Sequence, residues 1–228
     1  MNPGTLYGVG VGPGDPELIT LKAMRVMKEC HYIAIPSATK EECTAYAIVK
    51  AALPDIDQKK CLCIPMPMTK DKARLLESHQ QGSKQLITYL QQGFSIAFLT
   101  LGDPTIYSTY LYLHRLIAKE NYPTRIISGI PSFCAAAAAL NIGLAEMSEP
   151  LHIYPGSYPI AESFSLLGTN IYMKSGKKIG QVRDILAENA RIASMVENCG
   201  MENERIYETL QDIPDKSSYF SLIISKSK

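Results

Sequence analysis

Apolar and polar positions along the chain fall into two alternating kinds of segment. Short runs with β-type alternation or continuous apolar character occupy Leu6–Val11, His31–Ile35, Cys61–Ile64 and Phe94–Thr100, and these read as strands. Between them, Pro16–Cys30, Thr44–Leu53 and Asp71–Gln92 carry the wider spacing of helices. The order is a βαβα half with mostly parallel strands joined by crossover helices. A helix from about Tyr107 to Lys119 follows, then a short strand at Thr124–Ser128 and a helix beginning near Ser132. Five consecutive alanines from Ala135 favour helix and permit close packing. Asn141–Pro159 is rich in glycine and proline and reads as a loop in which the chain changes direction. Beyond it, Asn170–Met173, Arg191–Glu197 and Tyr219–Ser225 read as strands, with a helix at Gly180–Asn189. The pattern predicts two α/β domains, residues 1–121 and 122–228, with the boundary near Asn121–Thr124.

Composition narrows the functional classes. At 228 residues the chain is long enough for one large domain or two small ones, each with its own core. A formal net charge of +1 gives no basic face for nucleic acid and no polybasic membrane surface. No apolar run is long enough to span a bilayer, and MNPGTLYG lacks the charged-then-apolar pattern of a signal peptide, so a cytoplasmic protein is expected. The cysteines at 30, 43, 61, 63, 134 and 199 lack zinc-site spacing and a compact disulfide framework. Reduced thiols and no protein-held metal follow as expectations.

Two loops carry the chemistry. In LYGVGVGPGD, Gly12 and Gly14 flank Pro13, so the backbone turns sharply and can approach a ligand where a Cβ would obstruct it. Asp15 is placed to cap a helix that starts at Pro16. A dinucleotide fingerprint needs G-x-G-x-x-G, and after Gly8, Gly10 and Gly12 the third glycine falls on Pro13 or Asp15. An NAD-dependent oxidoreductase is disfavoured on that spacing. About ninety residues on, the strand FSIAFLTL ends at Gly102, Asp103 and Pro104, at the carboxyl edge where open α/β sheets bind ligands. Asp103 offers an acceptor for an amino group or a ribose, or a cap for the helix that follows.

These segments resemble a known family. GVGVGPGDPELITLKA, TLGDPTIYSTY, SGIPSFCAAAA, IYMKSGKK and VENCGMENERIY occur in the order seen in the S-adenosylmethionine-dependent tetrapyrrole methylases, and the resemblance spans nearly the whole chain. Within that family, ELITLKA, PMTKD, the YST of TIYSTY and YFSLII look most like the precorrin-2 C(20)-methyltransferases of cobalamin biosynthesis. The resemblance implies two α/β domains with a cofactor cleft between them, often in a homodimer. It implies S-adenosylmethionine as cofactor, with S-adenosylhomocysteine as product. It also places Pro13, Leu101, Gly102, Asp103, Ile106, Pro131, Ser132, Met173 and Cys199 at cofactor-binding positions. Two of these depart from the family pattern: Pro131 stands where threonine is common and lacks a main-chain N–H, and Cys199 stands where glycine is usual.

Methylation of a meso carbon must also release its proton. Asp103, Glu17 and Tyr107 are the candidate acceptors, and none is singled out by the sequence. The four histidines are isolated in sequence and read as structural. A substrate with many carboxylates calls for basic or hydrogen-bonding groups, for which Lys40, Lys70, Lys72 and Arg74 are candidates. A sibling methylase acting at another ring position, and a non-catalytic S-adenosylmethionine-binding protein, remain alternatives.

Overall fold

The computed structural model describes residues 2–156, 163 and 166–227, and these form two compact units, Met1–Pro131 and Ser132–Lys228. The division falls later than the sequence predicts. The last strand of the first half, Thr124–Ile127, pairs with the first strand of the chain and so belongs to the first unit.

The first unit is built on a five-stranded sheet of β1 (Leu6–Gly10), β2 (Tyr32–Ile35), β3 (Lys60–Cys63), β4 (Ile96–Thr100) and β5 (Thr124–Ile127), in the order β3-β2-β4-β1-β5. Every pairing is parallel, as crossover helices require. The helices are α1 (Leu21–Glu29), α2 (Thr44–Ala52), α3 (Lys72–Leu90) and α4 (Tyr110–Lys119). The sheet is buried on both faces, which explains its near-continuous apolar strands. On one face Val9, Ile33, Ile35, Ala97 and Leu99 pack with Ala23, Val26, Met27, Ile48 and Val49 of α1 and α2. On the other, Leu6, Ala34, Ile96 and Phe98 pack with Leu86, Leu90, Tyr110, Leu113 and Ile117 of α3 and α4. Gly8 is forced on this second face: a Cβ there would lie 2.1 Å from the Tyr110 ring, whose hydroxyl donates to the Arg125 carbonyl at 2.9 Å.

Several helix starts differ from the sequence reading for local reasons. The helix expected over Pro16–Cys30 is a short 3-10 turn at Pro16–Leu18 followed by α1, because Ile19 and Thr20 are extended. Each piece has its own cap: Asp15 accepts from Glu17 N–H at 2.8 Å and Thr20 Oγ1 from Ala23 N–H at 3.1 Å. Asp71 lies outside α3 as its cap, accepting from Ala73 and Arg74 N–H at 2.9 and 3.2 Å. The helix expected from Tyr107 starts at Tyr110, since Tyr107 has φ +46° and Ser108 Oγ accepts from Tyr110 N–H at 3.1 Å.

The second unit does not repeat the first. It contains α5 (Ser132–Ala139), β6 (Leu151–Pro155), β7 (Thr169–Met173), α6 (Ile179–Glu188), β8 (Ile192–Glu197), β9 (Arg205–Tyr207) and β10 (Ser221–Lys226). The sheet order is β6-β7-β10-β8-β9, with β6 parallel to β7 and β10 antiparallel to both of its neighbours. Tyr172, Val182, Leu186, Met195 and Ile223 form its core with α6, while α5 packs on β10 and β8. Strands β6 and β9 are additional to the sequence reading. β6 lies within the expected Asn141–Pro159 loop, whose end at Pro159 falls outside the described residues.

Candidate functional site

The carboxyl ends of the parallel strands lie on one edge of the first sheet, and there the loops after β1, β4 and β5 meet main chain to main chain. Gly12 and Gly102, at φ +78° and +69°, exchange hydrogen bonds: Gly102 N–H donates to the Gly12 carbonyl at 2.7 Å, and Gly12 N–H to the Gly102 carbonyl at 3.4 Å. Those φ values favour glycine, which has no Cβ to strain them. A Cβ on Gly10 would lie 2.6 Å from both the Gly102 carbonyl oxygen and the Gly129 nitrogen, and one on Gly129 would lie 2.2 Å from the same oxygen. The edge therefore presents bare backbone, with Pro13 buried behind it and Leu101, Ile106 and Pro131 partly exposed around it.

Asp103 holds this junction together. It is 8% exposed, and its Oδ1 accepts from Thr105 N–H at 2.7 Å and from Thr105 Oγ1 at 2.5 Å. Its Oδ2 accepts from Gly129 N–H at 3.0 Å. A carboxylate offers about four acceptor sites, so one remains, on Oδ2. Asp103 is thus a clasp between the loops after β4 and β5 and does not cap the next helix, which starts well beyond its reach. Three of its acceptor positions are therefore taken by the protein itself. Of the other candidates, Glu17 is exposed in the turn after Asp15, and Tyr107 is 48% exposed on its left-handed backbone.

Ser132, Met173 and Cys199 belong to the second unit. Ser132 opens α5, and Met173 ends β7. Because β7 and β8 both run antiparallel to β10, Met173 and Cys199 fall at the same edge of their sheet, where β10 begins. Both strands end in a left-handed non-glycine residue, Lys174 (φ +60°) and Asn198 (φ +52°), whose N–H groups donate to the Ser221 and Phe220 carbonyls at 3.1 and 3.0 Å. Beside Cys199, the buried Glu197 accepts from Ser218 N–H at 2.6 Å and from the Tyr207 hydroxyl at 3.2 Å. Burial alone would raise its carboxyl pKa, but these hydrogen bonds outweigh it and hold the group below its ordinary value. The sequence reading missed this support, although V-E-N-C-G places a carboxylate and an αL-tolerant asparagine directly before the cysteine.

The basic candidates separate. Lys40 sits over the Tyr46 ring, 4.9 Å from its centroid, and 3.8 Å from Asp57, so it serves the α2 side. Lys70, Lys72 and Arg74 are all exposed, and Arg74 also lines a cavity beside β3. The histidines are in structural contacts: His31 Nδ1 accepts from Ser95 N–H, His79 is buried against Tyr112, His114 is near the Tyr110 hydroxyl and His152 near the Leu167 carbonyl. None of the six cysteines is in a disulfide, and among the described residues no cluster of His, Cys, Asp and Glu is arranged to hold a metal. No described helix is long and apolar enough to cross a membrane.

Comparison with known proteins bears on this geometry. A protein of Methanocaldococcus jannaschii named "Probable cobalt-precorrin-2 C(20)-methyltransferase" is 33% identical over 225 residues, covering 97% of this chain and 95% of the relative. A precorrin-2 C(20)-methyltransferase of Sinorhizobium is 28% identical, covering 97% and 94%. The structure of a uroporphyrin-III C-methyl transferase from Thermus thermophilus complexed with S-adenyl homocysteine superposes with a TM-score of 0.70 at 18% identity, over 98% of each chain. The family model of the tetrapyrrole (corrin/porphyrin) methylases matches residues 5–214, and the chain belongs to that family.

Proposed function

We propose that the protein transfers a methyl group from S-adenosylmethionine to C(20) of precorrin-2, or of its cobalt complex, in cobalamin biosynthesis. The observation that carries this reading is the end-to-end match, within a family of methylases, to relatives named for that one ring position. Loop geometry supports the cofactor. An adenosine and a methionine moiety need close main-chain approach and a few fixed acceptors, and the Gly10–Gly102–Gly129 junction supplies the first while the remaining Oδ2 site of Asp103 supplies one of the second. Pro13, Leu101, Gly102, Asp103, Ile106, Pro131, Ser132, Met173 and Cys199 are the residues we assign to it. Pro131 can contribute only its carbonyl and ring, because it has no N–H.

When bound, S-adenosylmethionine supplies an already activated sulfonium methyl. The chain's contribution is therefore alignment: holding the meso carbon about 3–3.5 Å from the methyl, in line, provides much of the rate enhancement. Asp103 acts here by fixing two loops at once. The product proton leaves to water or to a neighbouring side chain. We further propose that the enzyme is a cytoplasmic homodimer; light scattering of the purified protein tests the dimer, and cell fractionation the location.

The deciding experiment is an anaerobic assay with S-adenosylmethionine and either precorrin-2 or cobalt-precorrin-2, reading product mass and methyl position. One methyl gained at C(20) supports the reading, and the faster substrate identifies the metal state. Methylation elsewhere on the ring would replace it with a sibling activity, and cofactor binding without turnover would replace it with a binding role.

A further inference from the structure

Beyond β2 and β3 the same sheet edge opens into a groove of about 520 Å³, within the range of small-ligand sites. Its construction is specific. Ile64 N–H continues the ladder to the Ile35 carbonyl, and Pro65 and Pro67 then end it. Ser78 Oγ donates to the Pro65 carbonyl at 2.9 Å and ties this segment to α3. Gly82 lets the helix settle on Ile64, where a Cβ would come within 2.7 Å of Cγ2. The polar lining comes from Ser37 and from Arg74, Glu77, Gln81 and Gln85 of α3.

Arg74 is the telling residue. Its guanidinium makes no hydrogen bond or ion pair among the described residues, although it carries five donors. It also lies in the first turn of α3 with Lys72, where the helix dipole disfavours positive charge and the one adjacent carboxylate, Asp71 at the N-cap, is engaged by the main-chain Ala73 and Arg74 N–H groups. The guanidinium is therefore left to solvent or to a ligand. Glu77 stands in the same groove and accepts from Gln81 Nε2 at 3.1 Å. Five parallel strands share this edge, and the glycine junction lies about two strand spacings away, ~10 Å.

We propose that this groove is a carboxylate subsite, in which Arg74 pairs with an acidic side arm of the tetrapyrrole while Glu77 opposes it and limits affinity. The proposal rests on the tetrapyrrole reading given above. A planar guanidinium takes a carboxylate through two parallel hydrogen bonds, and Gln81 and Gln85 add neutral donors.

The test uses the full-length protein with two probes: the methylation substrate, and uroporphyrin III, a stable carboxylated tetrapyrrole followed by absorbance titration. Arg74→Gln should raise the substrate KM and the uroporphyrin Kd about tenfold, with kcat and S-adenosylhomocysteine affinity unchanged. Glu77→Gln should shift both binding constants the opposite way. Wild-type affinity for uroporphyrin should weaken with salt more steeply than that of Arg74→Gln. Arg74→Gln should melt no lower than wild type, which separates a binding role from a structural one. Unchanged constants in Arg74→Gln, or parallel losses of tetrapyrrole and S-adenosylhomocysteine binding, would overturn the subsite. If the wild type fails to methylate C(20) yet uroporphyrin binding still depends on Arg74, the subsite stands and the reaction assignment falls.

Discussion

Replacing Asp103 tests whether one carboxylate organises the first-unit edge. Asp103→Ala removes all three accepted hydrogen bonds. Thr105 is exposed and turns to water at little cost, but Gly129 is buried and its N–H is left without a partner. A charge-assisted bond contributes about 1.5–3 kcal/mol, and an orphaned buried donor costs about 1–3 kcal/mol. These overlapping terms give a net loss of about 2–4 kcal/mol, or a melting temperature roughly 5–10 °C lower. Asp103→Asn should cost about half as much, since the amide can turn its single oxygen toward Gly129 and leave its NH₂ near the exposed Thr105. Thermal unfolding and S-adenosylhomocysteine titration read both effects. The expected order of loss is Ala greater than Asn in stability and in affinity alike. If Asp103→Ala melts with wild type and binds S-adenosylhomocysteine equally well, the clasp is not organising the loops. If Asn is as stable as wild type yet loses all affinity, Asp103 acts by direct contact alone.

Other perturbations have signs fixed by the structure. Gly129→Ala drives a Cβ to 2.2 Å from a carbonyl oxygen and should abolish soluble expression or cost more than ~3 kcal/mol, whereas Gly143→Ala, whose Cβ meets nothing nearer than 3.9 Å, should be neutral or stabilising in chemical denaturation. Burial lowers the pKa of His79, which stacks on Tyr112 with ring centroids 4.6 Å apart. The unfolded chain therefore takes up its proton first, so this contribution to stability is complete above the ordinary histidine pKa and is lost as pH falls through the folded value. Urea midpoints should fall below about pH 6.5, and less steeply in His79→Phe; some slope should remain, because His114 is shifted the same way. Burial pushes the Cys30 thiol up to about 12 and the Cys61 thiol to about 11, so thiol titration of the native protein at pH 8 should find both unreactive, and all six should react in denaturant. Rapid labelling of Cys30 in the native state would contradict its burial.

The first half was the more legible in sequence, because a parallel sheet buried on both faces writes itself as continuous apolar strands such as Phe94–Thr100. Glycine spacing around Pro13 and Asp103 pointed to the sheet edge where the loops after β1, β4 and β5 meet, since only bare backbone can be brought so close. Partnership was harder to read: nothing local tells that Asp103 reaches across to Gly129, or that Gly8 yields its space to Tyr110, because both contacts depend on strand order. Strands β6 and β9 were missed for a different reason. Leu151–Pro155 and Arg205–Tyr207 are short strands at the ends of their sheet with few fully buried positions, so they carry little periodic signal. Arg74 was named among four basic candidates, but its isolation in a groove could be seen only in three dimensions.

The strand order β3-β2-β4-β1-β5 also bears on how the chain reaches its folded state. Leu6 finds its neighbours at Ile96 and Thr124, so β1 leaves the ribosome long before either of its partners exists. At about 5–20 residues per second, the wait amounts to several seconds or more. Throughout that time LYGVGV is an apolar segment with both edges open, and closing the sheet means bringing together segments far apart in the chain, a slow event for parallel pairing. Proteins that bind nascent chains therefore have their longest opportunity at this segment, and conditions that slow translation lengthen the period in which it can pair wrongly.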